Sequence, residues 1–493
     1  MNRTRLDATR RGPGEGLKNL LVIACYFPPI GGGGVQRALK MAKYLPQFGW
    51  RPLVLALDPV WHVSLDPTLL EELPAEVVVH RVREWRPRIL FGAMAPTTAA
   101  VSPPSSATRS GAAVTPVPAG TSSGGKGLIA WRRRFVQWMK RARMYVLIPD
   151  DRILWYVPAV REGRRMLARY GARALLSTSG PYTDHLVGLA LRRHSGLPWV
   201  ADFRDPWTQN MHRPGIRWRE ALEERMERAV MREADVVLTV TRSFAEGFRS
   251  KYGDVIRRLE VIHNGFDAAD FAGVVPERVE GRCTFVYTGI FYRERHPRRL
   301  LRAVRRLIDR GAIDRRRLRL RFAGVFDYPG YTENADAVRE LGLGDVVEVL
   351  GHVPHRRAVA LLKGADVLLL INDVDPAFGG TFIPGKLFEY MAAQRPILAL
   401  SLPGEAASVV ERFGLGEVVP PEDDAAIEAA VLRFYRRWER GELAGPQPLP
   451  PEAYRLYERR EQARTLAELL DELLEARGED VRGREPQTAR VEP

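Results

Sequence analysis

The chain has 493 residues, of which 45% are hydrophobic and 27% are charged. This apolar content supports two or three domains with real cores and excludes fibrous, collagen-like and mainly disordered proteins. The two cysteines, Cys25 and Cys283, can build neither a disulfide framework nor a four-ligand zinc site, and they indicate a reducing compartment. No apolar run of about 18 residues predicts a transmembrane helix, and residues 1–17 lack the apolar core of a secretory signal. We therefore expect a cytoplasmic protein.

The net charge of +15 is concentrated in two segments. Residues 131–147 contain six basic residues and no acidic one, and residues 298–321 contain eleven arginines and two aspartates. The rest of the chain is balanced. The excess therefore predicts anionic partners at particular places rather than a general positive field.

Strand and helix patterns alternate over residues 18–266, which we predict to form the first domain. The first short apolar run, residues 20–26, is typical of a buried parallel strand. A glycine-rich loop and an amphipathic helix over residues 35–48 follow it. Further runs of strand type lie at residues 52–57, 76–80, 174–177, 199–203, 235–240 and 260–262. This alternation predicts a doubly wound α/β domain. It is interrupted by residues 92–128, whose Ala, Ser, Thr, Pro and Gly content predicts a disordered insertion.

A second alternating set follows a polar linker that ends near residue 281. Its strand-type runs lie at residues 283–288, 318–324, 346–350, 366–371, 396–400 and 417–419. They predict a second doubly wound domain over residues 281–450. The last segment, residues 451–476, contains a helix predicted over residues 454–476 from the spacing of its leucines. Residues 1–17 and 477–493 are expected to be flexible tails.

The glycines Gly31 to Gly34 lie between the first strand and the first helix. Ligands of open α/β sheets bind at the carboxyl ends of strands. A backbone without side chains can approach a pyrophosphate closely there, and its N–H groups attract anions. The loop does not match the strict dinucleotide-binding fingerprint, and a simple flexible turn is the alternative.

The sharpest signal in the chain is the segment of residues 382–393. It opens a helix after a loop that contains glycine and proline, and Lys386 and Glu389 lie on one face of that helix. A cation near the helix start can neutralise a diphosphate, and a carboxylate beyond it can accept both hydroxyls of a ribose. An ordinary ion pair is the alternative. Because lysine is rare in this arginine-rich chain, a lysine here favours a need for a compact point charge.

These residues also carry a family resemblance. Residues 384–390, followed by residues 395–398, resemble the donor-site signature of the retaining GT-B glycosyltransferases of family 4. Residues 202–207, the glycine-rich loop, and residues 287–289 with Arg295 and Pro297 are similar to a bacterial subgroup of that family. The resemblance covers residues 18–475 except the insertion. It implies an α/β fold of two Rossmann-like domains that face each other across a cleft, with a C-terminal helix that crosses back to the first domain.

The resemblance further implies the transfer of a sugar, with retention, from a nucleotide-sugar to a glycan or lipid-linked acceptor in cell-surface polysaccharide biosynthesis. Glu389 would hold the ribose, and Lys386 with Arg295 would hold the diphosphate. The other donor-side positions would be Gly32, Gly33, Gly34, Gly289 and Thr381. Because basic side chains can stabilise the departing phosphate, neither a metal ion nor another cofactor is expected.

Two positions depart from the family pattern. The family often has a glutamate where this chain has Thr381, so the first carboxylate of the family's pair is missing. Its catalytic histidine has no clear counterpart; His185 is the nearest candidate, and a surface or capping histidine is the alternative. Asp205 is predicted to be a further catalytic or acceptor-side residue, with Arg204 as an anion contact. A turn with a packed aromatic residue is the alternative for that segment.

Residues 131–147 combine aromatic and basic residues at helical spacing, a pattern typical of an amphipathic helix on an anionic membrane surface. A core-facing helix with a solvated basic face is the alternative. Most arginines of residues 298–321 are expected to form a solvated helix face. Three other functions compete with sugar transfer: a catalytically silent sugar-nucleotide-binding scaffold, a GT-B sugar-nucleotide epimerase, and a nucleic-acid-binding protein. Nucleic acid is not expected as a partner, because no reading motif accompanies the charge.

Overall fold

The structure, a computed structural model, describes residues 16–59, 65–85, 145–210, 215–291, 295–372 and 380–483, with side chains as far as residue 478. The strands of these residues form two parallel sheets. The N-terminal sheet has seven strands in the order β3-β2-β1-β4-β5-β6-β7: β1 (Lys18–Ile23), β2 (Trp50–Leu57), β3 (Val78–Val82), β4 (Ala174–Thr178), β5 (Trp199–Phe203), β6 (Val236–Thr239) and β7 (Leu259–Val261). The C-terminal sheet has six strands in the order β10-β9-β8-β11-β12-β13: β8 (Cys283–Ile290), β9 (Leu318–Val325), β10 (Val347–Gly351), β11 (Val367–Ile371), β12 (Ile397–Leu400) and β13 (Gly416–Val419).

Helices cover both faces of each sheet. In the N-terminal half they are α1 (Gly33–Tyr44), α2 (Tyr156–Tyr170), α3 (Thr183–Ser195), α4 (Arg217–Glu233) and α5 (Arg242–Tyr252). In the C-terminal half they are α6 (Arg298–Asp309), α7 (Glu333–Glu340), α8 (His355–Gly364), α9 (Gly385–Ala393), α10 (Glu405–Arg412), α11 (Asp424–Glu439), α12 (Pro451–Tyr457) and α13 (Arg459–Gly483). The predicted fold class, α/β with two doubly wound Rossmann-like domains, is confirmed.

The central strand β1 shows why these sequences form parallel sheets. Leu20 and Val22 point into the core that contains α1, whereas Leu21 and Ile23 point into the core on the other face. Both sets are almost completely buried. A strand covered on both faces needs an uninterrupted apolar sequence, which is the pattern that β1 carries.

The strand order of each sheet reverses once, between β1 and β4 and between β8 and β11. Crevices form at such reversals, because the loops that leave the carboxyl ends of the two strands run to opposite faces of the sheet. The glycine-rich loop follows β1, and the loop that contains Arg295 follows β8. The topology therefore places both at a crevice.

The final helical segment differs from the prediction of one continuous helix. It is divided at Glu458, whose backbone is extended. The linker residue Phe266 donates its N–H to the carbonyl of Tyr457 and accepts from the N–H of Arg459, at 2.8 Å each. Gly265 makes this approach possible, because a Cβ atom at that position would collide with the carbonyl of Tyr457. Backbone pairing to the linker thus ends α12 and lets α13 begin in a new direction.

Helix α13 crosses back to the N-terminal domain, as predicted. Its residues Leu466 and Leu470 are fully buried in the core that contains β1 and α1. Asp471 accepts hydrogen bonds from Lys18 and, at 2.9 Å, from the Trp50 indole. The helix continues to Gly483, beyond the predicted end at residue 476.

Some predictions lie outside the described residues: the disordered insertion at residues 92–128, residues 131–144 of the basic amphipathic segment, and most of both tails. Among the helices that the structure describes, none combines the length and the apolar character needed to span a membrane.

Candidate active site

The glycine-rich loop forms the uncapped start of α1. Gly32 is the residue before the helix, with φ of +104°, and no side chain caps the helix or places an acidic group in its first turn. A Cβ atom on Gly32 or Gly33 would meet nothing within 4 Å. The open space and the exposed N–H groups leave room for an anion at this helix terminus. Binding of a diphosphate here stays a prediction.

Lys386 lies in the first turn of α9 beneath the end of β8. Its Nζ atom is 3.7 Å from the centroid of the Tyr287 ring and is buried without a hydrogen-bond partner among the described residues. Burial lowers the pKa of Lys386 well below its usual range, Arg295 adds to this shift, and Glu389 opposes it. An ordinary ion pair with Glu389 is therefore not what this conformation shows, and an anion beside Nζ would be strongly favoured.

Gly289, a predicted donor-side position, makes room for this lysine. Its φ is +128°, and a Cβ atom there would lie 2.9 Å from Lys386 Nζ. Tyr390 anchors α9 from the other side, since its hydroxyl donates to the Leu369 carbonyl at 3.0 Å and accepts from the Thr288 N–H at 3.2 Å. The start of α9 is thereby fixed against the carboxyl ends of β8 and β11.

A cavity of about 480 Å³ opens between the two domains. Gly32 and Gly33 line one wall, Phe388 and Glu389 line the opposite wall, and Arg459 of the crossing helix closes the back. Burial raises the pKa of the Glu389 carboxyl, while interactions with His355 and Lys386 oppose the shift. The structure thus brings the predicted glycines and the predicted ribose-binding carboxylate to one cavity. Lys386 and Arg295 lie beyond its edge, and Arg295 lines a neighbouring cavity instead.

Thr381 lies at the contact between the domains, just before α9. Its carbonyl accepts a hydrogen bond of 3.1 Å from the hydroxyl of Thr241, the residue that caps α5. Beside it, the Glu405 carboxylate accepts from the backbone N–H and the hydroxyl of Ser243, at 2.7 and 2.8 Å. A carboxylate at the start of a helix is favoured by the helix dipole. These bonds connect the loop before α9 and the start of α10 to the N-terminal domain.

His185 is a core residue in this structure. It is fully buried, its Nδ1 atom lies 2.8 Å from the Ser177 hydroxyl, and its ring stacks on Phe203 with centroids 4.1 Å apart. Burial lowers its pKa to about 3. Neither the catalytic position in the cleft nor the surface position considered for it fits this environment. The structure offers no other histidine from the N-terminal domain among the residues that line the cavity.

Arg204 and Asp205 follow β5 at the edge of the cleft. Arg204 lines the interdomain cavity, and its Nη1 donates to the carbonyl of Gly34 at 2.8 Å. Asp205 is exposed and pairs with Arg204 at 3.1 Å. The packed-turn alternative describes the next residues, because Trp207 is buried and stacks on Tyr182 with centroids 5.1 Å apart. Arg204 thus belongs to the cavity, and an acceptor role for either residue stays a prediction.

Sequence reasoning missed the charged network that lines part of the cavity. Lys40 Nζ contacts carboxylate oxygens of Glu72, Asp267 and Asp270, at 2.6, 2.8 and 2.7 Å. Burial alone would raise the pKa of Asp267, but the positive charge of Lys40 lowers it to about 2. The three carboxylates lie close enough together for a metal site, but Lys40 already occupies the space among them. Lysine is rare in this chain, and the same argument that drew attention to Lys386 could have identified Lys40 as a residue with a specific charged partner.

Two doubly wound domains with a cavity between them, and a last helix that returns to the first domain, define the GT-B class. Two family models match this chain: Glycosyltransferase Family 4 over residues 107–270 and Glycosyl transferases group 1 over residues 282–437. The first covers the later part of the N-terminal domain, and the second covers most of the C-terminal domain. The chain therefore belongs to the GT-B glycosyltransferases of this family 4 and group 1 type. A search of the curated proteins found no match.

Solved structures of low sequence identity share the fold. A glycosyltransferase from Rickettsia africae ESF-5 is 12% identical with a TM-score of 0.57, over 93% of this chain and 99% of that one. Anabaena Alr3699/HepE, solved in complex with UDP, is 13% identical with a TM-score of 0.51, over 95% and 100% of the two chains. The lipopolysaccharide outer core galactosyltransferase WaaB, in its apo form, is 12% identical with a TM-score of 0.50, over 92% and 100%.

Proposed function

We propose that this glycosyltransferase moves a sugar, with retention, from a nucleotide-sugar to a glycan or lipid-linked acceptor in cell-surface polysaccharide biosynthesis. The observation that carries the proposal is the arrangement on α9. The buried Nζ atom of Lys386 has no hydrogen-bond partner among the described residues, and it lies one helical turn from Glu389, which faces the interdomain cavity. A phosphate group and a ribose diol are the chemical groups that this pair would bind together.

Each part of the donor has a matching feature in the structure. The diphosphate would lie beside Lys386 and Arg295, with the N–H groups at the start of α1 facing it from the other domain. The ribose would lie against Glu389, whose ionised carboxylate can accept one hydrogen bond from each hydroxyl with a separate oxygen. The raised pKa of this carboxyl would then fall on donor binding, because hydrogen bonds to the charged form favour that form.

The same cations would assist the chemical step. When the bond between the sugar and the diphosphate breaks, the electron pair leaves with the phosphate oxygen and its negative charge grows. Lys386 and Arg295 would stabilise that charge in a site with little water, where such interactions are strong. No step of this scheme requires a metal ion. That HepE was solved with UDP and that WaaB is a galactosyltransferase support uridine diphosphate sugars as the first donors to try.

A thermal-shift panel with UDP-, GDP-, ADP- and TDP-sugars tests the proposal. A ligand that binds only the folded state raises the melting temperature by mass action. We expect a shift with one nucleotide class that is lost in Glu389→Ala and kept in Glu411→Ala, which removes an exposed glutamate of α10. If none of the donors shifts the wild-type protein, the donor-site assignment fails. Binding without any turnover, with acceptor glycans supplied, would support the silent scaffold, and interconversion of donor sugars without acceptor would support the epimerase.

We also propose that the N-terminal domain contacts an anionic membrane surface where a lipid-linked acceptor would reside. Tyr145, at the end of the basic amphipathic segment, is 50% exposed and stacks on Trp218, which is 52% exposed. Exposed aromatic pairs beside basic residues suit the headgroup region of a bilayer. Flotation with vesicles rich in phosphatidylglycerol should recover the wild-type protein but less of Trp218→Ala, whereas Trp85→Ala, which removes another exposed tryptophan, should behave like wild type. Equal recovery with purely zwitterionic vesicles would refute an anionic preference.

A further inference from the structure

The end of β5 is attached to α1, the helix that begins with the glycine-rich loop, at two points. Asp202 lies in β5 and Arg204 directly follows it. The Asp202 carboxylate accepts hydrogen bonds from Nε and Nη2 of Arg37, each of 2.8 Å. Nη1 of Arg204 donates to the carbonyl of Gly34 at 2.8 Å. Two side chains of one strand end thus hold two successive turns of α1.

The attachment through Asp202 is deeply buried and fully hydrogen-bonded. Arg37 and Asp202 are 1% and 0% exposed. Asp202 also accepts from the Thr178 hydroxyl at 2.7 Å, and Nη1 of Arg37 donates to the carbonyl of His263, in the loop after β7, at 2.7 Å. A buried ion pair is tolerated when further hydrogen bonds satisfy its remaining groups. This pair therefore fixes α1 against both β5 and the loop after β7.

The attachment through Arg204 depends on two glycines. A Cβ atom on Gly34 would lie 3.0 Å from Nη1 of Arg204, and one on Gly180, whose φ is +92°, would lie 2.5 Å from Nη2. The guanidinium thus fills a space that these glycines leave open. Its Nε donates to the Asp205 carboxylate at 3.1 Å, so the charge of Arg204 is compensated by its neighbour. These contacts suit an attachment rather than the binding of a further anion.

Helix α1 needs such attachments at its start. Gly32 precedes the helix without a side-chain cap, and Gly33 and Gly34 begin it. Glycine has the largest conformational freedom of any residue, so a first turn that contains it is weakly ordered by itself. Gly34 and Arg37 are three residues apart and lie on one face of the helix. Bonds to both fix the rotation of α1 about its axis, and with it the direction of the N–H groups at its start.

We propose that Arg204 is a positioning residue for donor binding. It holds the first turn of α1 so that the N–H groups of the glycine-rich loop face the interdomain cavity, and the Asp202–Arg37 pair supports the next turn. This inference rests on the proposed function, in which those N–H groups face the donor diphosphate. Because the loop is ordered before the donor arrives, less conformational entropy is lost on binding.

Hydrogen exchange without ligand tests the positioning directly. The amides of residues 37 and 38 bond, by helical geometry, to the carbonyls of residues 33 and 34. In Arg204→Ala they should exchange about fivefold faster than in the wild-type protein, the effect of one ordinary hydrogen bond. Arg192→Ala is the matched control and should leave these amides unchanged. Arg192 also pairs with a carboxylate and donates to backbone carbonyls, but at the opposite end of β5.

Calorimetric titration with UDP, GDP, ADP and TDP tests the link to donor binding. The nucleoside diphosphate that binds the wild-type protein should bind Arg204→Ala about tenfold more weakly, the effect of one misaligned charge-assisted hydrogen bond, and Arg192→Ala equally well. The double variant Gly33→Ala/Arg204→Ala should bind as Gly33→Ala does, because both changes act on the same N–H groups. If Arg204→Ala does not fold, Arg204→Met, which keeps the aliphatic stem, takes its place in both assays.

Unchanged exchange in the Arg204 variant overturns the inference, whatever its affinity. Losses that multiply in the double variant also overturn it, because they indicate that Arg204 contacts the ligand independently of the loop. Faster exchange with unchanged affinity refutes the role in donor binding. If no nucleoside diphosphate binds the wild-type protein, the proposed function itself fails. Binding by the wild-type protein with equal affinity in the Arg204 variant refutes this inference alone.

Discussion

Gly33→Ala should move stability and donor affinity in opposite directions. Gly33 is the first residue of α1, and a Cβ atom there would meet no protein atom within 4 Å. Its φ is not in the left-handed region, so alanine can adopt the same backbone conformation. In the absence of ligand, the substitution therefore has no steric cost and reduces the conformational entropy of the unfolded chain.

The two effects can be estimated separately. Replacing a helical glycine whose conformation alanine can adopt adds about 0.4–1 kcal/mol to the free energy of unfolding, which corresponds to roughly 1–4 °C in melting temperature for a domain of this size. If the donor diphosphate approaches the N–H groups of this loop, the methyl group occupies its path. The loss of one charge-assisted hydrogen bond costs about 1.5–3 kcal/mol, which corresponds to a roughly 10- to 150-fold larger dissociation constant.

Calorimetric titration of the nucleotide-sugar and thermal unfolding without ligand measure the two effects on the same samples. Gly478→Ala is the matched control: it lies within α13, a Cβ atom there also meets nothing within 4 Å, and it should gain stability without changing affinity. If Gly33→Ala binds the donor as tightly as wild type, the start of α1 is not the phosphate site. If it is instead less stable, the reasoning about free space at Gly33 is wrong.

Gly289→Ala should lower both the melting temperature and turnover, because a side chain at a φ of +128° costs about 1–2 kcal/mol and its Cβ would lie 2.9 Å from Lys386 Nζ. Gly311→Ala is the control, since Gly311 also has a positive φ but has free space around it. In the same two assays it should lower only the melting temperature. Glu389→Ala should weaken binding of a ribonucleotide diphosphate by about 10-fold or more but have little effect on its 2′,3′-dideoxy analogue, and equal losses in titrations of both would contradict the ribose assignment. Burial lowers the pKa of His185 to about 3 in the folded protein. Below a pH of about 6.5, the unfolded chain therefore binds more protons than the folded one. The free energy of unfolding then falls as the pH decreases, by at most about 1.4 kcal/mol per pH unit. Urea unfolding at pH 4.5 and 7 measures this effect. The free energy of unfolding should differ less between the two pH values for His185→Gln than for the wild-type protein. An equal difference in both proteins would show that other groups cause the pH dependence.

The strands were predictable because both faces of each sheet are covered. A strand buried on both sides requires a continuous apolar run, and such runs occur at central strands such as β11 and β12. Strand β9 instead alternates leucine with arginine. The break at Glu458 was not predictable, because it results from backbone pairing with Phe266. Residues 454–476 carry an uninterrupted helical pattern, and no local signal records that a distant linker competes for their hydrogen bonds.

The candidate site was predictable where chemistry and local sequence coincide. Lys386 and Glu389 are three residues apart on one helix, so their proximity follows from helical geometry. His185 was placed in the wrong environment, because no sequence pattern distinguishes a histidine buried beside a core hydroxyl from one that faces a cleft. The Arg37–Asp202 pair, at 2.8 Å and almost fully buried, was missed because its members come from different βα units.

The charge balance of the two walls explains which domain would hold the donor. On the N-terminal side, the cations Arg37, Lys40 and Lys43 are directly paired with Asp202, Glu72, Asp267 and Asp270, and Arg459 lies near the same carboxylates. That wall is close to neutral and can offer an anion mainly the N–H groups of the glycine-rich loop and the Arg204 side chain. On the C-terminal side, Lys386 has no partner among the described residues and a strongly lowered pKa. We therefore predict that a diphosphate bound in this cleft would gain most of its stabilisation from the C-terminal domain.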